Sequence, residues 1–519
     1  MGIDLGTDNS VAYYYQDGRI EAVVDQNGSS IIPSYVDFRN NGEIIVGATA
    51  KRNFANSVRS SNVIRGSKRI IGKKLYDPMV GFVSEYTSCP IGNVDGFPSF
   101  EIVPLGQRVT PRKVASQVVK RLLDLVMEKT GLPISRVCIT VPAHFGNDER
   151  VETKKAVMAL GIAEENIEII NEPTAAAIAY AVDNNISSTR VLVYDFGGGT
   201  FDVSILEVVN EELKVMKYGG NPRLGGADID VIMLEWIQEL YYRQYQVPLI
   251  PEGIDNEIRK RYMQRLLFHI EECKKNFQSS ESVIFSMNFI SPIKPLNANP
   301  DDDSFFFVLT LEEFNQRILQ KVNETIDVVK NVMGEYGITK DNVDTILLVG
   351  GSSRLGLVRE RLGEVFGFDK ICEHVNPDLC VAKGACLHLI KQRIVKEIIA
   401  YSLDKTIINN QALCVIPSQT SLPAEFTVPT CTTHDNQTCV ESFVLQGNQE
   451  KSNDVTPFNE QDFRKLAPYS FTGFEIRPAG AVAFDTTFKI EEDGIVYVTV
   501  VEEETGKKLL DHKEISYTV

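Results

Sequence analysis

The chain of 519 residues carries 53 Lys+Arg against 70 Asp+Glu, a formal charge of −17, and at ~150 residues per domain its length suits roughly three to four domains. Such acidity argues against wrapping nucleic acid, which needs basic stripes to release counterions. A hydrophobic content of 43% with 24% charged residues excludes general disorder. No apolar run approaches the ~18–20 residues needed to span a bilayer.

The chain opens on Met1-Gly2-Ile3-Asp4-Leu5, which reads as a strand from the first residue and leaves no signal peptide. Gly6 at the sixth position excludes myristoylation. The abrupt start leaves room for a targeting extension lost from this version. Nine cysteines, an odd count, include no Cys-x-x-Cys pair. Cys372, Cys380 and Cys386, and Cys431 and Cys439 with His434, therefore read as buried reduced thiols rather than zinc ligands. Reduced thiols without a signal point to the cytoplasm, where the sequon at Asn436 is idle.

Ile3-Asp4-Leu5-Gly6-Thr7 returns as Tyr194-Asp195-Phe196-Gly197-Gly198-Gly199-Thr200. Each echo lies between apolar stretches, Val11–Tyr15 following the first and Val203–Val209 the second, so strand, tight turn and strand occur twice. Between the echoes, Thr110 caps a helix with Pro111 at its first position and Gly131 closing it. Its apolar positions Val114, Val118, Leu122 and Leu125 recur at helical spacing. Val137–Pro142 reads as a buried strand and Glu172–Val182 as an alanine-rich helix. The second half repeats the scheme with Leu311–Gly334 helical, Val343–Gly351 strand and glycine turn, and Asp378–Lys391 helical. The pattern predicts an α/β fold of two duplicated lobes facing one cleft.

After about residue 392 short strands replace helices: Ala412–Ile416, Phe426–Val428, Val440–Leu445, Ala481–Ile490 and Ile495–Val501, with Asp493-Gly494 as a hairpin turn. These predict an all-β sandwich. The expected division is 1–392 for the lobes, 393–402 as linker within Lys391–Ser402, and 403–519 for the β-domain, ending just after its last strand.

Alone, Gly197–Gly199 reads as a plain tight turn. Paired Asp-Gly-Thr turns in related lobes instead suit a phosphate chain held with a hydrated divalent metal, reached by Asp4 and Asp195 through its waters, with Thr7 and Thr200 on the phosphates. Gly350-Gly351-Ser352-Ser353-Arg354 reads either as a strand-to-helix turn or as a seat for ribose and base, with Arg354 on the purine face.

The segments 2–10, 67–74, 141–150, 169–183, 194–206, 223–230, 348–355, 376–385 and 435–447 resemble, in order, the seventy-kilodalton heat-shock (DnaK-type) chaperones of the actin and sugar-kinase superfamily. The resemblance implies an actin-like ATPase followed by a substrate-binding β-domain. It implies ATP or ADP with Mg²⁺, K⁺ being a further candidate ion. Lys68, Glu172, Asp195 and Thr200 take the catalytic positions: Lys68 reaches the γ-phosphate and Glu172, between Asn171 and Pro173, orients the attacking water. Asp4, Asp195 and Asp202 fall around the metal. Gly6, Thr7, Asp8, Asn9, Gly197, Gly198 and Gly199 line the phosphates. Gly225, Gly226, Glu271, Lys274, Lys275, Gln278, Gly350, Gly351, Ser352, Arg354 and Asp378 fall around the nucleoside. Pro142 and Arg150 match residues that relay nucleotide state toward the linker. Implied partners are unfolded or nascent polypeptide, a J-domain co-chaperone and a nucleotide-exchange factor, with neither nucleic acid nor membrane.

Several positions depart from the family. Asp8 replaces a threonine beside the phosphates, where a carboxylate repels ATP unless it reaches the metal or points away. Gln278 and Lys275 replace a serine and an arginine at adenine. Lys396 interrupts the apolar linker run from Arg393 to Ala400. Lys405, Ile408, Thr430, Thr433, Val440 and Ser442 make a peptide groove more polar than usual, unless the register slips by one. No residues remain for a helical lid. The expected function is an ATP-hydrolysing folding chaperone without a lid. The alternatives are a nucleotide-dependent regulatory or ribosome-associated co-chaperone subunit with weak peptide binding and, as a third class, a small-molecule kinase on the same fold.

Overall fold

A computed structural model describes the chain except residues 56–61, 88, 211, 290–294, 296–297, 300, 392–393 and 518–519, and the side chains of 257 and 391. Arg393 and the expected boundary at 392/393 thus lie outside the described residues.

The first echo is built as read. The strand Gly2–Asp4 runs antiparallel to Asn9–Gln16 and parallel to Val137–Val141, which in turn lies parallel to Ile167–Asn171. All five residues of Val137–Val141 are buried, the near-continuous apolar run of a strand covered on both faces. The second echo repeats the arrangement: Ser188–Phe196 runs antiparallel to Phe201–Val209 and parallel to Thr345–Val349. Both acidic turns therefore sit at the same end of equivalent sheets.

The helix Pro111–Thr130 has Thr110 Oγ1 accepting from Lys113 N and Gly131 N donating to Met127 O, so both ends close on the residues that signalled them. Val114, Val118, Leu122 and Leu125 are buried in the first lobe's core. The helices Glu172–Asp183 and Cys380–Lys391 pack against each other and, with strands of both sheets, form an alanine-rich core joining the lobes. A third core fills the second lobe around Trp236, Tyr241, Phe285 and Phe314.

The β-domain is a sandwich of a five-stranded and a four-stranded antiparallel sheet. Its core includes Leu403, Val444, Leu466, Phe484, Phe488 and Val498. Asp493-Gly494 does turn between Ala483–Ile490 and Val496–Glu502. Ser402–Ile407, Arg464–Thr472 and Lys508–Glu514 are strands that the sequence reading passed over, so Ile495–Val501 is not the last one. Cys380 and Cys386 are buried, but Cys372 is only half-buried and Cys431 and Cys439 are exposed near strand ends, contrary to expectation.

The segment read as a linker is itself structured. Val395–Lys396 adds to the second lobe's sheet as a parallel strand beside Leu213 and Lys214. Val395 packs toward the core between the lobes, while Lys396 pairs with Glu212, which gives the lysine in the apolar run its place. Glu397 then buries its carboxylate and accepts from Asn171 Nδ2 at 2.8 Å. The β-domain docks on the first lobe: Arg464 binds Glu149 at 2.6 and 2.7 Å and Asp148 at 3.1 Å. Asn147 exchanges hydrogen bonds with Ile515 O (2.6 Å) and Val496 N (2.9 Å).

Candidate functional site

A cavity of about 520 Å³ opens between the lobes where the two echoed turns face each other. Asp4, Gly6, Thr7, Asp8 and Asn9 line it from the first echo, Asp195, Gly197, Gly198, Gly199 and Thr200 from the second, and Lys68 and Glu172 from between. Also lining it are Glu271, Lys274, Lys275 and Gln278 from the helix Asn256–Asn276, and Gly350, Gly351, Ser352, Arg354 and Asp378. Asp202, Gly225 and Gly226 do not line it. Asp202 pairs in register with Asp195 but turns to His144, whose Nδ1 lies 2.7 Å from Oδ1.

Local folding explains the loop. Gly225 and Gly226 open the helix Gly226–Tyr245, and the N–H groups of Gly226 and Ala227 donate to Gly197 O and Gly198 O at 3.0 and 2.9 Å. The helix start thus ties down the loop's carbonyls, while among the described residues the N–H groups of Gly198 and Gly199 have no backbone acceptor. Freed amides on a glycine loop suit an oxyanion. Gly350 has φ +79° and sits against Phe196 O, where a Cβ would come within 2.6 Å, so that turn requires glycine.

Lys68 and Glu172 are buried and 2.5 Å apart. Burial opposes the Lys68 charge, but the carboxylates of Glu172 and Asp4 outweigh it and hold the ammonium's pKa above its ordinary value. Burial and Glu172 push Asp4 up to about 7, with Lys68 partly offsetting them. Burial, Glu172 and Asp202 raise Asp195 well above the carboxylate range. Crowded, desolvated carboxylates are the setting a divalent cation relieves. Among the described residues no three acidic, His or Cys side chains converge closely enough to hold a metal directly.

Arg354 is held by Asp378 (Nε to Oδ2, 2.8 Å) and by Asn376 (2.9 Å), fixing its plane at the cavity rim. Arg150 lies away from the cavity and donates to Asn171 Oδ1 at 2.7 Å and to Asp493 O at 3.1 Å, bridging the site's support to the docked β-domain. Pro142 lines the cavity. Asp8 lies over Gly198, whose Cβ, if present, would stand 1.9 Å from Oδ2. Sequence reasoning misses Arg65, Arg69 and Asp230, which share this corner. The one signal is Arg65-x-x-Lys68-Arg69, three cations around a single short turn.

In the β-domain, Lys405 is buried and burial lowers its pKa to about 8, while Ile408 is exposed. Thr430 bonds Thr486 and the Phe484 carbonyl, and Ser442 lies 3.4 Å from Thr406. Among the described residues no helix is long and apolar enough to cross a membrane.

The family model described as Hsp70 protein matches residues 1–516. The chain is 30% identical over 519 residues to the chaperone protein dnaK of Cyanidioschyzon merolae, covering 98% of this chain and 80% of that one. It is 30% identical over 517 residues to the chaperone protein dnaK of Cyanidium caldarium, with 98% and 79% covered.

Proposed function

Because the chain belongs to the Hsp70 family, we propose that it is a molecular chaperone that binds ATP with Mg²⁺ in the cleft, hydrolyses it, and assists protein folding through its β-domain. The observation that carries this reading is the cavity with two facing Asp-Gly turns and the Lys68–Glu172 pair between them. Asp4 and Asp195 would hold the metal through water, and a bound Mg²⁺ supplies charge neutralisation across the phosphates. Glu172 orients a water toward the γ-phosphorus. As that P–O bond forms, the bond to the β-phosphate oxygen breaks, leaving ADP and inorganic phosphate. Lys68 stabilises the charge on the equatorial oxygens, so catalysis is positioning and electrostatics. Arg150, held between Asn171 and Asp493, supports coupling between the cleft and the β-domain. The family suggests polypeptide clients, a J-domain partner and an exchange factor.

The test is steady-state phosphate release from Mg·ATP. Wild type is expected to turn over well above Lys68→Ala, and equal rates would end the hydrolase reading.

A further inference from the structure

Three lysines are buried among the described residues: Lys68, Lys154 and Lys405. Lys68 meets Glu172 at 2.5 Å, and Lys154 meets Asp493 at 3.0 Å and Glu164 at 3.2 Å. The ammonium of Lys405 has no such partner: among the described residues it forms neither an ion pair nor a hydrogen bond.

Strand register fixes where this cation sits. In Ser402–Ile407 it stands opposite Leu413 on one neighbouring strand and Val444 on the other. Directly opposed residues share a face of the sheet. Val444 is fully buried in the core between the two sheets, and Leu413 packs against that core. Lys405 therefore faces the space between the sheets, with 7% of its surface exposed. Its chain neighbour Asp404 stands opposite Leu445 on the other face, where Ser402 and Gln449 hold its carboxylate at 2.6 and 2.8 Å. Ser442, two residues before Val444, brings a buried hydroxyl to the inner face, and Tyr469 opposite it is buried in the same core. None of these inner-face neighbours is an acid. Burial lowers the Lys405 pKa to about 8, Cys431 partly offsetting it, so the ammonium stays mainly charged at pH 7 and no carboxylate of the chain acts on it.

A desolvated ammonium without a carboxylate is unfavourable, and a ligand that supplies one relieves it. The resemblance described above puts Lys405 with Ile408, Thr430, Thr433, Val440 and Ser442 at the positions of a peptide groove, and Ile408, three residues further along, is exposed. An extended polypeptide is thus the carboxylate source that this position favours. An apolar side chain laid there would shut the cation further from water without pairing it, which disfavours apolar segments.

We propose that Lys405 selects acidic segments: on the chaperone reading above, the β-domain binds an extended polypeptide that sets a Glu or Asp side chain against this ammonium, in preference to a purely apolar one.

The experiment is fluorescence polarisation of the full chain with short labelled peptides whose ends carry no charge and which differ only in a central Glu, Gln or Leu. Wild type is expected to bind the Glu peptide about tenfold or more tighter than the Gln peptide, the increment of a hydrogen bond between charged groups. Lys405→Met, which keeps the side chain's approximate volume, should bring Glu and Gln within about threefold and tighten the Leu peptide about threefold or more. Lys405→Arg keeps the charge and should keep Glu ahead of Gln. Equal affinity for Glu and Gln in wild type, or a Glu preference that survives Lys405→Met, overturns the proposal. If Lys405→Met loses its thermal transition, the wild-type ratio of Glu to Gln decides, a tenfold preference supporting the proposal and parity overturning it. Binding of the Leu peptide with no preference for Glu overturns only the acidic selection. Failure of all three peptides to bind overturns peptide binding by the β-domain as well.

Discussion

Lys68 Nζ and Glu172 Oε1 meet at 2.5 Å across the floor of the cleft, joining residues 104 apart in sequence and largely out of water. One lies within the short turn Ser67–Ile70 and the other is the first residue of a helix, so their meeting depends on the packing of both. Glu172→Gln keeps the shape and removes the charge. ATP turnover is expected to fall by about a hundredfold or more, while ATP affinity stays within about threefold. Single-turnover phosphate release beside equilibrium titration separates the two, and equal losses in both would argue for a structural role.

The Arg464–Glu149 contact predicts how the β-domain is held. Burial opposes the Glu149 charge, but Arg464 and Lys73 overcome it and depress its pKa to about 2. The folded pKa lies below the unfolded value, so this stabilisation is present above about pH 4.5 and disappears as pH falls toward 2, amounting to about 3 kcal/mol. Arg464→Ala leaves Glu149 with Lys73 alone, at 2.7 Å. It should speed proteolysis within 394–400 several-fold at pH 7, and Glu149→Gln should flatten the acid dependence of that rate.

Asp404 predicts the opposite sign. It is fully buried, and burial raises its pKa to about 6 despite hydrogen bonds from Ser402 at 2.6 Å and Gln449 at 2.8 Å. Its folded pKa exceeds the unfolded carboxylate value of about 3.9, so any benefit is present at low pH and is lost as pH rises through 6. The melting temperature of wild type relative to Asp404→Asn should therefore increase on going from pH 7 to pH 5. A difference that stays constant would show that the carboxyl does not titrate there.

Neighbouring glycines should behave differently. Gly350→Ala forces a side chain into a left-handed backbone and against Phe196 O, which should cost at least about 1 kcal/mol of stability and weaken ATP tenfold or more. At Gly351 the nearest atom to a new Cβ is Asp378 Oδ1 at 3.7 Å, ordinary contact, so Gly351→Ala should fold normally. Differential scanning calorimetry with ATP titration compares them.

The parts of the molecule legible in the sequence are those signalled locally. Thr110, Pro111 and Gly131 mark the ends of one helix, Asp493-Gly494 marks a hairpin, and the repeated acidic turn marks the duplicated lobes. Lys508–Glu514 escaped because an outer strand rich in Lys, Asp and His looks like loop, and charge on an edge strand is a guard against pairing with other chains. Arg464–Thr472 was hidden by Pro468. In the site, most residues carried by motifs line the cavity, but Asp202 turns to His144, and Gly225 and Gly226 stand behind the loop at the start of a helix. Arg65 reaches the cavity with its guanidinium set by Tyr35 and Phe54, which no local motif signals. The contact of Arg464 with Glu149 spans 315 positions and has no local trace at all.

Val395–Lys396 gives the passage between the two parts of the molecule a mechanical character. A tether lying as a strand along Leu213 and Lys214, with Leu213 N donating to Ile394 O at 2.9 Å, resists differently according to direction. Tension along the strand loads its ladder in shear, all bonds sharing the force, whereas tension across it peels them one at a time. A body tugging on the β-domain from the side would therefore release it at far lower force than one pulling along the chain.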